Sequence, residues 1–176
     1  MKIKNPFSLF TIRAPRAFTL IETLVAISVL LVSLAGPMSI AAHALAAAYY
    51  ARDQVTAFYL AQEGIEYARA IRDQNYLAGE TWLTGIDNCM DTSCEIDFPN
   101  FTHEICAGGA CTPLLISATG GLYNYESGEP SGFTRTLTLS RVPGTNDEII
   151  VKVTISWASA GINRSFQLTE HIFDWL

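Results

Sequence analysis

The sequence predicts an α+β protein, with one long N-terminal helix packed on a small antiparallel β-sheet head. Three observations carry that prediction. From Thr23 to Ala51 there is no Asp, Glu, Lys or Arg in 29 positions, more than the roughly 20 apolar residues a helix needs to cross a bilayer. Tyr49–Asn75 then runs without proline and repeats apolar side chains at helical spacing. The last third alternates apolar and polar residues with the period of two that marks strands buried on one face.

Length and charge narrow the function classes. At 176 residues the chain suits one domain plus an appendage. Charged residues make up 16%, against roughly 25% in a typical soluble domain. The apolar excess lies in one block, which excludes a polytopic membrane protein. Net charge is 11 − 17 = −6, and the first 17 residues hold only Lys2, Lys4, Arg13 and Arg16. The remaining 159 residues therefore carry 7 − 17 = −10. Such an acidic body has no cationic stripe for a phosphate backbone, so no nucleic-acid partner is expected. Positive charge before an apolar segment holds that end on the cytoplasmic side.

The first fifty residues admit three readings. A secretory signal peptide needs a basic start, a short apolar stretch and a small-x-small cleavage site, which Ala44 and Ala46 could supply. A plain single-pass anchor needs only the apolar length. Glu22 fits neither. An acid at the centre of a membrane helix costs roughly 2.5–3.5 kcal/mol, less near the interface, and needs a cationic partner. A cut just before Phe18 would create one, an α-amine within reach of Glu22 on the same chain or on a neighbouring copy.

The string Arg16-Ala17-Phe18-Thr19-Leu20-Ile21-Glu22 resembles the class III signal of type IV pilins and type II secretion pseudopilins. The resemblance implies cleavage between Ala17 and Phe18 by a prepilin peptidase/N-methyltransferase, and N-methylation of Phe18. It also implies a salt bridge from Glu22 to the amine of an adjacent subunit. The family usually has Gly before the cut; Ala17 keeps that position small, and slower processing is expected. The resemblance is strong over about Arg16–Leu34.

On this reading residues 1–17 are a basic leader and 18–51 a transmembrane or filament-core helix. Residues 52–76 are an amphipathic continuation into the head, and 77–176 hold cysteine-containing loops and an antiparallel sheet. Within the apolar run, Gly36-Pro37 should kink or loosen the helix, because proline removes a backbone donor and clashes with the preceding turn. The alanine-rich Ala41–Ala51 allows close helix–helix approach and has high helix propensity in any setting. His43 stands alone there, with no further metal ligands nearby.

In the continuation, Phe58, Ala61, Ile65, Ala68 and Ile71 form one apolar face. Arg69 and Asp73 are spaced to pair on the surface. Gly64 is a weak spot, costing about 1 kcal/mol relative to Ala.

Cys89 and Cys94 form one C-x4-C and Cys106 and Cys111 another. Zinc is the alternative use of four thiols, but an extracytoplasmic location favours disulfides. Local pairing, Cys89–Cys94 with Cys106–Cys111, is preferred; nesting Cys94–Cys106 inside Cys89–Cys111 stays open. No metal and no cofactor is expected. Asp87, Asp91, Glu95 and Asp97 lack EF-hand spacing and read as a solvated acidic loop. Asn100-Phe101-Thr102 and Asn163-Arg164-Ser165 match the short glycosylation triplet.

Leu114–Tyr125, broken by Gly120-Gly121, adds one or two strands, and Phe133–Val142 another. Ile149, Val151, Val153, Ile155 and Trp157 alternate strictly with Ile150, Lys152, Thr154, Ser156 and Ala158, so one face is buried, after a turn at Pro143–Asp147. Ile162, Arg164, Phe166 and Leu168 continue the alternation in a last strand. The amphipathic helix from Phe58 to Ile71 is the available cover for the sheet.

No G-x-S-x-G, P-loop or dinucleotide fingerprint occurs, and His43, His103 and His171 form no motif. The expected function is structural rather than enzymatic. The chain reads as a minor pilin or pseudopilin, a single-pass inner-membrane protein with an extracytoplasmic head that enters a cell-surface or periplasmic filament. Its expected partners are other pilin subunits, the prepilin peptidase/N-methyltransferase and the membrane. Tip subunits of the family often lack the acid, so Glu22 suits a subunit that stacks beneath another. The alternative is a membrane-tethered binding domain that does not polymerise; an anchored hydrolase has no convergent catalytic residues. Mature protein is expected to begin at Phe18 with a methylated amine. The intact mass of membrane-extracted protein checks this, and a start at Met1 or near Ala47 excludes the filament reading.

Overall fold

The computed structural model describes residues 17–118, 120–159 and 161–175. The basic side chains of the leader, Lys2, Lys4, Arg13 and Arg16, lie outside the described residues. The chain divides into two units, Met1–Leu45 and Ala46–Leu176. One helix, α1, spans Leu20–Ala78 and runs through Pro37 without interruption. Ser28 and Ser33 donate their hydroxyls to the carbonyls of Val25 and Leu30, which satisfies these two hydroxyls inside the apolar run. In the first unit the described helical residues are exposed throughout.

The second unit is the head. Its seven strands are β1 (Cys94–Asp97), β2 (Thr102–Ile105), β3 (Pro113–Ile116), β4 (Tyr123–Asn124), β5 (Glu129–Arg141), β6 (Glu148–Ser159) and β7 (Ile162–Phe173). They form one antiparallel sheet around β5. β6 runs along one edge of β5 and carries β7 beyond it. The other edge of β5 pairs with β1 and β3, which carry β2 and β4. The alternation in β6 buries Ile149, Val151, Val153, Ile155 and Trp157, as its period requires. In β7 the inward set shifts toward the C-terminal end: Ile162 and Arg164 are exposed, Phe166 and Leu168 half-buried, and Ile172 buried.

α1 covers the sheet with Ala57, Leu60, Ala61, Gly64, Ile65, Tyr67 and Ala68. Ala61, Ile65 and Ala68 lie on it as expected, but the face is rotated so that it also takes in Ala57, Leu60, Gly64 and Tyr67 and leaves Phe58 at its edge. Successive helical residues point roughly 100° apart, so Phe58 stands at the margin, 39% exposed, and meets Phe166 edge-on at 5.8 Å. Small side chains occupy the centre instead. Gly64 is where the helix comes closest: a Cβ there would lie 2.9 Å from both Val153 methyls and 3.5 Å from Ile96 Cδ1. The glycine is thus the contact that lets helix and sheet meet, not merely a propensity defect. Arg69 likewise does not pair with Asp73. It bonds Glu66 at 2.7 Å and Glu170 on β7, because the sheet edge offers a nearer, less exposed carboxylate.

The helix runs on past its expected end at residue 76, to Ala78. It closes with hydrogen bonds from Glu80 N–H to the Asn75 carbonyl (2.9 Å) and from Gly79 N–H to the Tyr76 carbonyl (3.2 Å), the paired pattern of a Schellman stop. Asn75 Nδ2 then donates to the carbonyls of Trp82 and Thr84, folding the next loop back so that Trp82, Leu83 and Ile86 enter the core. Gly64→Ala, normally worth up to about 1 kcal/mol of added stability in a helix, should instead destabilise by about 1–3 kcal/mol through overpacking. Denaturant unfolding of Gly64→Ala checks this, and Val153→Ala in the same chain should recover part of the loss.

Candidate functional site

The candidate site is the start of α1. Thr19 stands just before the helix, and its Oγ1 accepts the Glu22 N–H at 3.3 Å. Its carbonyl accepts the first helical bond from Thr23 N–H at 3.2 Å. Thr19-Leu20-Ile21-Glu22 therefore has the spacing of a capping box, with the threonine half formed. An acid in the first turn also faces the positive end of the helix dipole. Glu22 thus has a local role, but not a complete one. Among the described residues no cation pairs with its carboxylate. No Lys or Arg occurs between Ala17 and Ala51. Ala17 and Phe18 are exposed and precede the helix.

The cysteine region is stitched locally. Cys89 bonds Cys94 with Cα atoms 5.7 Å apart, and Cys106 bonds Cys111 at 4.6 Å. The first ties the Asp87–Cys89 turn to β1, and the second closes the loop between β2 and β3. In that second ring Gly108 and Gly109 sit at φ 64° and 79°, a left-handed pair that side chains would strain. Rings this short contribute about 2 kcal/mol each in the chain-entropy account, so they fix loops rather than create the fold. Glu95 lies beside Cys106 and Cys111, but both sulfurs are committed to each other, and its carboxylate accepts the Thr112 N–H.

Asp87 and Asp91 are exposed, as the solvated-loop reading expects, but Asp97 departs from it. Asp97 is buried and accepts hydrogen bonds from Asn100 N–H (3.4 Å), Asn100 Nδ2 (3.2 Å) and Tyr125 N–H (3.2 Å). It closes the β1–β2 turn and ties it to the segment after β4. The nearby Tyr67 hydroxyl meets His103 Nδ1 at 2.8 Å, while His103 Nε2 donates to the Gly85 carbonyl at 2.6 Å. Burial, with Asp97 adding to it, pushes the Tyr67 hydroxyl up to about 12. That direction suits a buried donor and not a nucleophile.

One residue escaped the sequence reading. Arg135 is fully buried on the inner face of β5. Its Nη1 donates to Glu63 Oε2 at 2.5 Å and to the Leu60 carbonyl at 3.4 Å, and its Nη2 to the Ile96 carbonyl at 2.6 Å. It thereby joins α1, β5 and β1. Its parity with Phe133, Leu137 and Leu139 was the available signal.

Residues 12–36 match the family model described as the prokaryotic N-terminal methylation motif. The chain thus carries the N-terminal signal of type IV pilins and pseudopilins, which points to a structural subunit processed by a prepilin peptidase. With its apolar helix, the signal fits a single-pass inner-membrane anchor. No match is found among curated proteins or solved structures. Protein collected from outside the cytoplasm should resist thiol alkylation until reduced and then take up four labels, read by mass. Labelling of all four cysteines without reductant contradicts the paired state.

Proposed function

We propose that the chain is a minor pilin or minor pseudopilin, a structural subunit of a type IV pilus or type II secretion-like filament that primes assembly, adheres or pushes cargo. The single observation that carries this is Glu22, a carboxylate with no cationic partner among the described residues, beside an uncharged run of 29 residues. Cleavage between Ala17 and Phe18 creates an α-amine four residues before Glu22. In a filament the amine of one subunit meets the Glu22-type carboxylate of its neighbour, so each subunit brings both halves of a pair that lipid cannot supply. The Thr19 cap supports this reading because it fixes where the helix starts and therefore where the carboxylate projects. Methylation of Phe18 keeps the amine basic. The head, held outside the cytoplasm, presents the sheet and disulfide-closed loops to the filament surface.

A tethered binding domain that does not polymerise needs the anchor and the head but not Glu22, which sets the two readings apart. Glu22→Val keeps the helix and lowers the insertion cost, so anchoring should persist, as should cleavage after Ala17. Docking should fail, because removing one side of a buried ion pair costs about 3–5 kcal/mol. That is roughly a hundredfold or more in an assembly equilibrium. The ratio of sheared-filament to membrane-bound protein, wild type against variant, measures it. An unchanged ratio with wild type present in filaments removes Glu22 from assembly. Wild type confined to membranes under filament-forming conditions favours the tethered domain.

A further inference from the structure

Where α1 enters the head, its surface is apolar and aromatic. Tyr49, Val55 and Tyr59 are exposed, and Phe58 stands half-open beside them. Ala51, Gln54, Val55, Phe58, Tyr59 and Phe166 line one shallow groove here. Tyr59 also borders a second groove with Leu60 and Tyr123. Two guanidinium groups sit among the rings: Arg52 lies 5.4 Å from the Tyr49 ring centroid and Arg164 lies 5.0 Å from that of Tyr50. Arg52 is held by Asp53, yet its side chain remains 69% exposed.

We propose that this collar is a lipid-docking surface, which seats the head on the phospholipid headgroups while the subunit is still in the membrane. The proposal rests on the membrane-anchor reading. Three observations select lipid as the occupant. The collar is continuous in sequence with the apolar run, since Tyr49-Tyr50-Ala51 closes that run and Arg52 opens the head. Its composition is that of an interfacial belt, in which tyrosine keeps its ring in the acyl boundary and its hydroxyl in water, and arginine meets phosphate. The length also fits. The 29 uncharged residues span about 44 Å at 1.5 Å per residue, against a hydrocarbon core of about 30 Å. A helix too long for the core tilts, and tilting brings the first turns beyond Ala51 down to the headgroups.

The test uses the full chain in vesicles of phosphatidylethanolamine and phosphatidylglycerol. Val55→Cys takes a nitroxide label without disturbing the tyrosines, with Leu30→Cys as the hydrocarbon reference and Leu77→Cys as the exposed head reference. Accessibility to oxygen relative to an aqueous nickel chelate reports the environment of each label. The expected result is a ratio at position 55 several-fold above that at position 77, falling toward it when Tyr59→Ser is added. Equal ratios at 55 and 77 overturn the proposal. Low access to both reagents at 55, with spin broadening that disappears on dilution by unlabelled protein, also overturns it and assigns the collar to a second copy. A Leu30→Cys label without oxygen preference sinks the anchor reading itself.

Discussion

The uncharged run of α1 cannot remain in water, and that constraint governs the molecule. Among the described residues, fourteen large apolar side chains from Phe18 to Leu45 are exposed. At about 1.5–3 kcal/mol for each one buried, leaving them in water forfeits tens of kcal/mol, more than the 5–15 kcal/mol that typically stabilises a whole domain. The segment must lie in lipid or among other apolar helices. On the function proposed above, Glu22 decides between those two environments. Lipid offers its carboxylate nothing, whereas a helix of the same kind, cut at the same place, offers an amine.

The same helix serves two surroundings by changing its surface. Up to Ala51 it is apolar on every side. From Ala57 to Ala68 it presents to the sheet a stripe in which Ala57, Ala61, Gly64 and Ala68 lie among Leu60, Ile65 and Tyr67. Gly64 brings the backbone onto Val153, and Arg135 reaches through the sheet face to Glu63 and to the Leu60 carbonyl. A buried guanidinium is expensive to desolvate, and this one is matched by a carboxylate and two carbonyls from α1 and β1. Close packing and directional bonds thus fix the same interface, so the head has a defined register on the helix that carries it.

Much of this was legible because it is periodic or local. The strict alternation of Ile149–Trp157, the glycine-marked turns, the uncharged run and the Arg16–Glu22 string each need only neighbours in sequence to be read. What could not be read depends on contacts between distant segments. Phe58 belongs to the apolar repeat, but the sheet meets the helix most closely at Gly64. Asp97 looks like one of four loop acids until the turn at Asn100 and the backbone of Tyr125 converge on it. Trp82, Leu83 and Ile86 enter the core only because Asn75 folds their loop back. Arg135 has an inward parity, but no rule of composition places a guanidinium there without knowledge of Glu63, 72 residues away. The N-terminal site contrasts with these. Its logic lies in seven consecutive residues, and on the proposed function the half it lacks belongs to another subunit.

A contact map of the apolar helix in cells that are building filaments puts that dependence to the test. A photoreactive amino acid in place of Leu30, exposed in the middle of the run, reports what lies beside it on illumination. The account predicts adducts to the apolar helix of another pilin-type subunit, identified by mass spectrometry, rising when filaments form and falling when assembly is blocked. Adducts to lipid alone, unchanged between assembling and blocked cells, would contradict it.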